Sequence, residues 1–138
     1  MVSGPIIIIE DDQDDQAIFE EVLNELNIPN KIVWFTRCMD AFDYLKNTNE
    51  QPFIILSDIN LPGQSGIDFK KKIDSDEELR KKSVPFVFFS TSADKGTINE
   101  AFIKLTIQGY FQKTNSYSET KNIVSAILEY WKFCKHPN

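Results

Sequence analysis

Acidic, hydroxyl and amine side chains follow four apolar runs of this sequence, each within a few residues of the end of its run. These residues are Glu10, Asp11, Asp58, Ser90 and Lys113. Clustered carboxylates bind hard cations such as Mg²⁺ through oxygen, and a carboxylate beside a metal and a lysine can act as a nucleophile toward phosphorus. The set therefore indicates the chemistry of an aspartyl phosphate, if the fold brings the five side chains together.

Five strand-like runs alternate with helical segments along the chain. The strand-like runs are Ile6–Ile9, Ile32–Phe35 and residues 53–56, 84–89 and 110–111. Most are uniformly apolar, as in strands covered on both faces, and the segments between them carry apolar residues at helical spacing. Pro85 is tolerable if it lies near the start of its strand. The alternation predicts one α/β domain, a doubly wound parallel sheet with helices on both faces.

In an open α/β sheet, the site lies beyond the carboxyl ends of the strands, where the strand order reverses. If the first and third strands are neighbours, Glu10, Asp11 and Asp58 converge there. Two like charges ~4 Å apart repel by about 4 kcal/mol at an effective dielectric constant of ~20. Lys113 would neutralise one charge and Mg²⁺ would neutralise more, while the Ser90 hydroxyl would donate a hydrogen bond to a transferring phosphoryl group.

Taken in order, these residues resemble those of the receiver domain of bacterial two-component response regulators. The resemblance runs from about Ile6 to about Trp131, and it includes Pro62 and Gly66 behind Asp58. It implies a flavodoxin-like fold, with five parallel strands in the order 2-1-3-4-5. The expected organisation is one receiver domain over residues 1–138 with a core at about 6–131.

The resemblance implies a role for each matching residue. Asp58 would accept the phosphoryl group, and Lys113 and Ser90 would contact it. Ser90 and Tyr110 match the positions at which the family switches conformation. The Mg²⁺ ligands would be Asp11, Asp58 and the backbone carbonyl of Asn60, with Glu10 acting through water.

The expected function is that of a stand-alone response regulator, which takes a phosphoryl group from a histidine kinase and signals through a protein-binding face. The residues after Trp131 are too few for a DNA-binding unit, so the expected partners are the kinase and a downstream protein or phosphotransfer domain, and a homodimer stays open. The segment 10–15 is most similar to stand-alone receivers that partner phytochrome-type kinases. Self-catalysed phosphotransfer and autodephosphorylation are not conventional turnover, so enzyme status stays open.

The sequence departs from the family pattern at two positions, and the first departure supports an alternative function. Thr114 replaces the usual proline after Lys113, and Thr91 occupies a position that is usually Ala or Gly. The first alternative is a receiver-like interaction module that acts without phosphorylation. The second is a phosphohydrolase, but this class usually has a second carboxylate where Asn60 stands.

Composition excludes several other classes. The net charge of −6 argues against a nucleic-acid partner, and no apolar stretch is long enough to span a membrane. The residues Cys38, Cys134 and His136 lack zinc-ligand spacing. The N-terminal residues lack the basic segment and the long apolar core of a signal peptide, so a reducing, cytoplasmic location is expected. Three further acids near Asp11 are expected only to cap the first helix; they are Asp12, Asp14 and Asp15.

Overall fold

The computed structural model describes residues 4–92 and 94–135, so His136 lies outside the described residues. Five parallel strands form one sheet in the order β2-β1-β3-β4-β5, which confirms the predicted fold and strand order. The strands are β1 (Ile6–Ile9), β2 (Ile32–Phe35), β3 (Ile54–Ser57), β4 (Phe86–Ser90) and β5 (Gly109–Gln112). Pro85 comes just before β4, where the missing N–H of proline removes no hydrogen bond within that strand.

Helices cover both faces of the sheet, as the alternation of elements predicts. They are α1 (Gln13–Glu25), α2 (Cys38–Asn47), α3 (Gly66–Ser75), α4 (Glu77–Lys82), α5 (Lys95–Lys104) and α6 (Tyr117–Phe133). The short α4 was not predicted as a separate helix. The Asp76 side chain caps this helix by accepting a hydrogen bond from Leu79 N at 3.0 Å. Ser83, the residue after the helix, has a positive φ of 52°.

The core lies in two layers because successive strand residues point to opposite faces of the sheet. One layer contains Ile7, Ile9 and Phe88 with residues of α2, α3, α4 and α5, and the other contains Ile6 and Ile8 with residues of α1 and α6. All four residues of β1 are fully or almost fully buried. This uniform burial explains why the run is apolar at every position.

Two further features bear on function. No helix within residues 4–92 and 94–135 combines the length and the apolar character that a membrane span requires. Cys38 is buried, and burial raises the pKa of its thiol to about 12. A thiol in this setting is a poor nucleophile, because the thiolate is the reactive form.

Candidate functional site

Three carboxylates converge beyond the carboxyl ends of β1 and β3. These strands are neighbours, with Ile9 in register with Ser57, so the residues that follow them lie side by side. Glu10, Asp11 and Asp58 each offer an oxygen within 4.8 Å of the others. Glu10 and Asp58 are buried, whereas Asp11 is exposed.

Asp58 is held by hydrogen bonds on both of its carboxylate oxygens. Its Oδ1 accepts from the backbone N–H of Ile59 at 2.7 Å and lies 3.4 Å from that of Asn60, and its Oδ2 accepts from Lys113 Nζ at 2.9 Å. The loop after β3 closes tightly over this residue. A Cβ at Gly66 would lie 2.2 Å from the Asp58 carbonyl oxygen, so this close approach requires glycine.

Lys113 donates to three carboxylates at once. Its ammonium contacts Glu10 Oε1, Asp15 Oδ2 at 2.8 Å and Asp58 Oδ2. Burial alone would lower the pKa of Lys113, but the hydrogen bonds to Asp15, Glu10 and Asp58 outweigh that effect and raise it. The backbone N–H of Lys113 donates to the Ser90 carbonyl at 2.8 Å, which anchors the residue to the end of β4.

The contact with Asp15 corrects an expectation, because Asp15 does more than cap α1. Asp12 is the capping residue, and its Oδ1 accepts from the backbone N–H of Asp15 at 3.0 Å. That bond fixes the first turn of α1 so that the Asp15 side chain reaches Lys113. The acidic run of the sequence gave no signal that separated Asp15 from Asp14.

Glu10 is the most buried acid of the site. Burial raises its pKa from 4.5 to about 7, the hydrogen bond and charge of Lys113 oppose the rise, and the charge of Asp58 adds to it. The remaining oxygen of Glu10 accepts from the backbone N–H of Asp12 at 3.2 Å, and its carbonyl accepts from Gln16 Nε2 at 2.5 Å. Glu10 is therefore fixed in place.

A cavity of about 620 Å³ opens beside these acids. Among the residues that line it are Asp11, Asp58, Asn60, Thr91 and Lys113. Clustered carboxylate oxygens are the ligands that Mg²⁺ prefers, and a cavity of this size leaves space for the waters that Mg²⁺ retains. The three converging carboxylates could therefore hold a divalent metal ion.

Ser90 and Tyr110 lie at the same edge of the sheet. Ser90 is fully buried, and its Oγ accepts from the backbone N–H of Ser92 at 3.2 Å. Tyr110 OH donates to the Ser92 carbonyl at 2.6 Å, and burial is the main reason that the pKa of Tyr110 is raised. Both side chains thus contact the segment after β4.

The residues that depart from the family pattern flank the site. Thr91 is exposed and lines the cavity, and Thr114 is exposed beside Lys113. The described residues contain no cis peptide bond, so the Lys113–Thr114 bond is trans. The loop after Lys113 thus has a trans peptide bond at Thr114, which occupies the position of the usual proline.

The chain is similar to known proteins over most of its length. The response regulator receiver domain family matches residues 6–125. Response regulator Rcp1 of Synechocystis sp. (strain ATCC 27184 / PCC 6803 / Kazusa) is 24% identical over 131 residues, covering 91% of this chain and 87% of Rcp1.

Two solved structures extend the comparison. The phosphorylated cyanobacterial phytochrome response regulator RcpA has a TM-score of 0.87 and 28% identity, covering 99% of this chain and 100% of its own. The Mn²⁺-bound form of response regulator Rcp1 has a TM-score of 0.83 and 22% identity, covering 98% of this chain and 99% of its own.

Proposed function

Because the chain belongs to the response regulator receiver domain family, we propose that Asp58 accepts a phosphoryl group from a histidine kinase. The observation that carries the proposal is the position of Asp58 Oδ2, 2.9 Å from the Lys113 ammonium and beside the carboxylates of Glu10 and Asp11. In this setting Asp58 has a neighbouring cation and faces a cavity that can admit a phosphodonor.

The transfer itself needs little covalent work from the protein. One carboxylate oxygen of Asp58 forms the new bond to phosphorus while the bond to the phosphohistidine nitrogen breaks, and the imidazole leaves with the electron pair. During the transfer, Lys113 shifts from Asp58 to an oxygen of the phosphoryl group, where the charge of the loose transition state is spread. The buried Ser90 hydroxyl reaches the same group once it leaves the Ser92 amide.

The acids of the site would hold Mg²⁺ during this reaction. Asp11, Asp58 and the Asn60 carbonyl are the proposed direct ligands, and Glu10 acts through water. When bound, the ion supplies positive charge that offsets the phosphoryl oxygens and orients them. Glu10 and Asp58 are held by backbone N–H groups, so little rearrangement is needed for binding.

Phosphorylation would be communicated through Ser90 and Tyr110. Movement of Ser90 toward the phosphoryl group removes the partner of the Ser92 amide and shifts the segment to which Tyr110 is bonded. A packed element with two discrete arrangements can turn such a shift into a change of surface. The affected face consists of α5, β5 and α6, and it exposes Phe102 and Tyr130.

This face is the proposed contact surface for a downstream protein, a phosphotransfer domain or a second copy of the chain. We infer a cytoplasmic, single-domain response regulator with its receiver core at about residues 6–131 of 1–138. The match to 87% of Rcp1 and to 100% of the RcpA chain supports the single-domain organisation. A phytochrome-type histidine kinase is the corresponding upstream partner.

The test is phosphorylation by acetyl phosphate in the presence of Mg²⁺, followed by intact mass measurement. The wild-type mass should rise by one phosphoryl unit, and Asp58→Asn should abolish the rise. Asp43→Asn is the matched control, because Asp43 is exposed on α2, and it should behave as the wild type does. An unchanged wild-type mass would favour the interaction module that acts without phosphorylation.

A further inference from the structure

All three protons of the Lys113 ammonium are engaged by carboxylates in this structure. A lysine ammonium has three N–H donors, and Glu10, Asp58 and Asp15 accept them. We propose that Asp15 is a positioning residue that competes with the phosphoryl group for Lys113. This inference rests on the proposed function, because it concerns the moment at which Lys113 must turn to a phosphoryl oxygen.

Asp15 is the partner that can leave most easily. Its side chain is 32% exposed, compared with 2% for Glu10 and 10% for Asp58. Glu10 and Asp58 also accept backbone N–H bonds that hold them in place. Within the described part of the chain, the Asp15 carboxylate is bonded to Lys113 alone.

Release of Asp15 requires rotation of one side chain and no movement of the helix. The first turn of α1 is fixed by the Asp12 cap and by the bond from Gln16 Nε2 to the Glu10 carbonyl. Because its backbone is held, Asp15 can swing into the cavity that it lines. In that position its negative charge faces Asp11 and Asp14, so the released state costs free energy.

Asp15 therefore stabilises the unphosphorylated arrangement of Lys113 and opposes the phosphorylated one. An amide in its place can still accept a hydrogen bond, but charge-assisted hydrogen bonds are roughly twice as strong as neutral ones. For a partly exposed ion pair worth about 1 kcal/mol, the amide keeps about half of the interaction, so the affinity gain on removing the competing charge is about twofold. Asp15→Asn should show this gain toward a phosphoryl group or its analogue.

The experiment compares wild type with Asp15→Asn, Asp15→Glu and Asp14→Asn in Mg²⁺. Asp14→Asn removes the same charge from the same turn and cavity rim, so it measures the general electrostatic effect. The first readout is the affinity for beryllofluoride, which is measured from the changes in amide chemical shifts. The second is the rate of mass gain over a series of acetyl phosphate concentrations, which separates the half-saturating concentration from the maximal rate.

Asp15→Asn should bind beryllofluoride about twofold more tightly than Asp14→Asn does and should half-saturate at a correspondingly lower acetyl phosphate concentration. Asp15→Glu, which keeps the charge, should remain close to wild type. Equal behaviour of Asp15→Asn and Asp14→Asn would reduce the effect to net charge and overturn the competition. If the wild type takes up neither probe, the proposed function fails and the role of Asp15 fails with it.

Discussion

The buried Glu10 carboxylate makes the metal-free protein less stable as the pH rises. Burial raises its pKa from 4.5 to about 7, so between these values the folded state binds more protons than the unfolded state does. Stability falls with pH wherever the folded state holds the extra proton. The contribution is therefore fully present below pH 4.5, and it is lost as the pH rises through 7.

The size of the effect follows from the shift. One pKa unit corresponds to about 1.4 kcal/mol, so the shift from 4.5 to about 7 corresponds to about 3 kcal/mol of unfolding free energy. Most of this loss falls between pH 5 and pH 8. Glu10→Gln mimics the protonated form and lacks the loss, so its stability advantage over the wild type should grow by about 2–3 kcal/mol across that interval.

Urea unfolding at several pH values in metal-free buffer measures this difference. Glu20→Gln is the matched control, because Glu20 is exposed on α1, and its difference from the wild type should stay flat with pH. A wild-type protein and a Glu10→Gln protein with parallel stability profiles from pH 5 to pH 8 would refute the reasoning. Such a result would mean that Lys113 and the Asp12 amide fully offset the cost of burying the charge.

Two further expectations concern the metal and the signalling face. Asp11→Ala should lose the increase in melting temperature that Mg²⁺ produces, because the change removes a proposed ligand. Without metal it should be at least as stable as wild type, because the change also relieves repulsion with Asp58. Equal Mg²⁺-induced shifts in both proteins would remove Asp11 from the site. Beryllofluoride should shift the amide resonances of Tyr110 and residues 98–105, and perturbations confined to the loops around Asp11, Asp58 and Lys113 would argue against the switch.

Much of the fold could be predicted because burial on both faces leaves a simple signature. The first two strands, Ile6–Ile9 and Ile32–Phe35, have the predicted bounds, and the others differ by one or two residues at their ends. The convergence of Glu10, Asp11 and Asp58 followed from one topological statement, that β1 and β3 are neighbours. Parallel strands place their carboxyl ends at one edge, so the type of residue after each strand was informative.

Three features could not be predicted: two depend on the direction of side chains, and one is a helix too short to leave a pattern. Asp14 and Asp15 are identical in type and adjacent in sequence, yet only the turn set by the Asp12 cap determines which of them reaches Lys113. The separate helix α4 (Glu77–Lys82) has one buried residue, Leu79, and a segment this short has too little apolar periodicity to detect. The contact of the Ser90 hydroxyl with the Ser92 amide was likewise invisible in the sequence.

The acids of the site differ in exposure because they lie on different backbone elements. Glu10 and Asp58 directly follow the ends of β1 and β3, where bonds from Glu10 N to Phe35 O and from Asp58 N to Ile9 O hold their backbones. Asp11 and Asp15 lie at the entry to α1, are more exposed and face the cavity. Under the proposed function, backbone bonds hold Asp58 in place to accept the phosphoryl group and hold Glu10 beside it, whereas the more exposed side chains of Asp11 and Asp15 have space to change partners. The same side-chain chemistry thus supplies both the fixed and the exchangeable parts of the site.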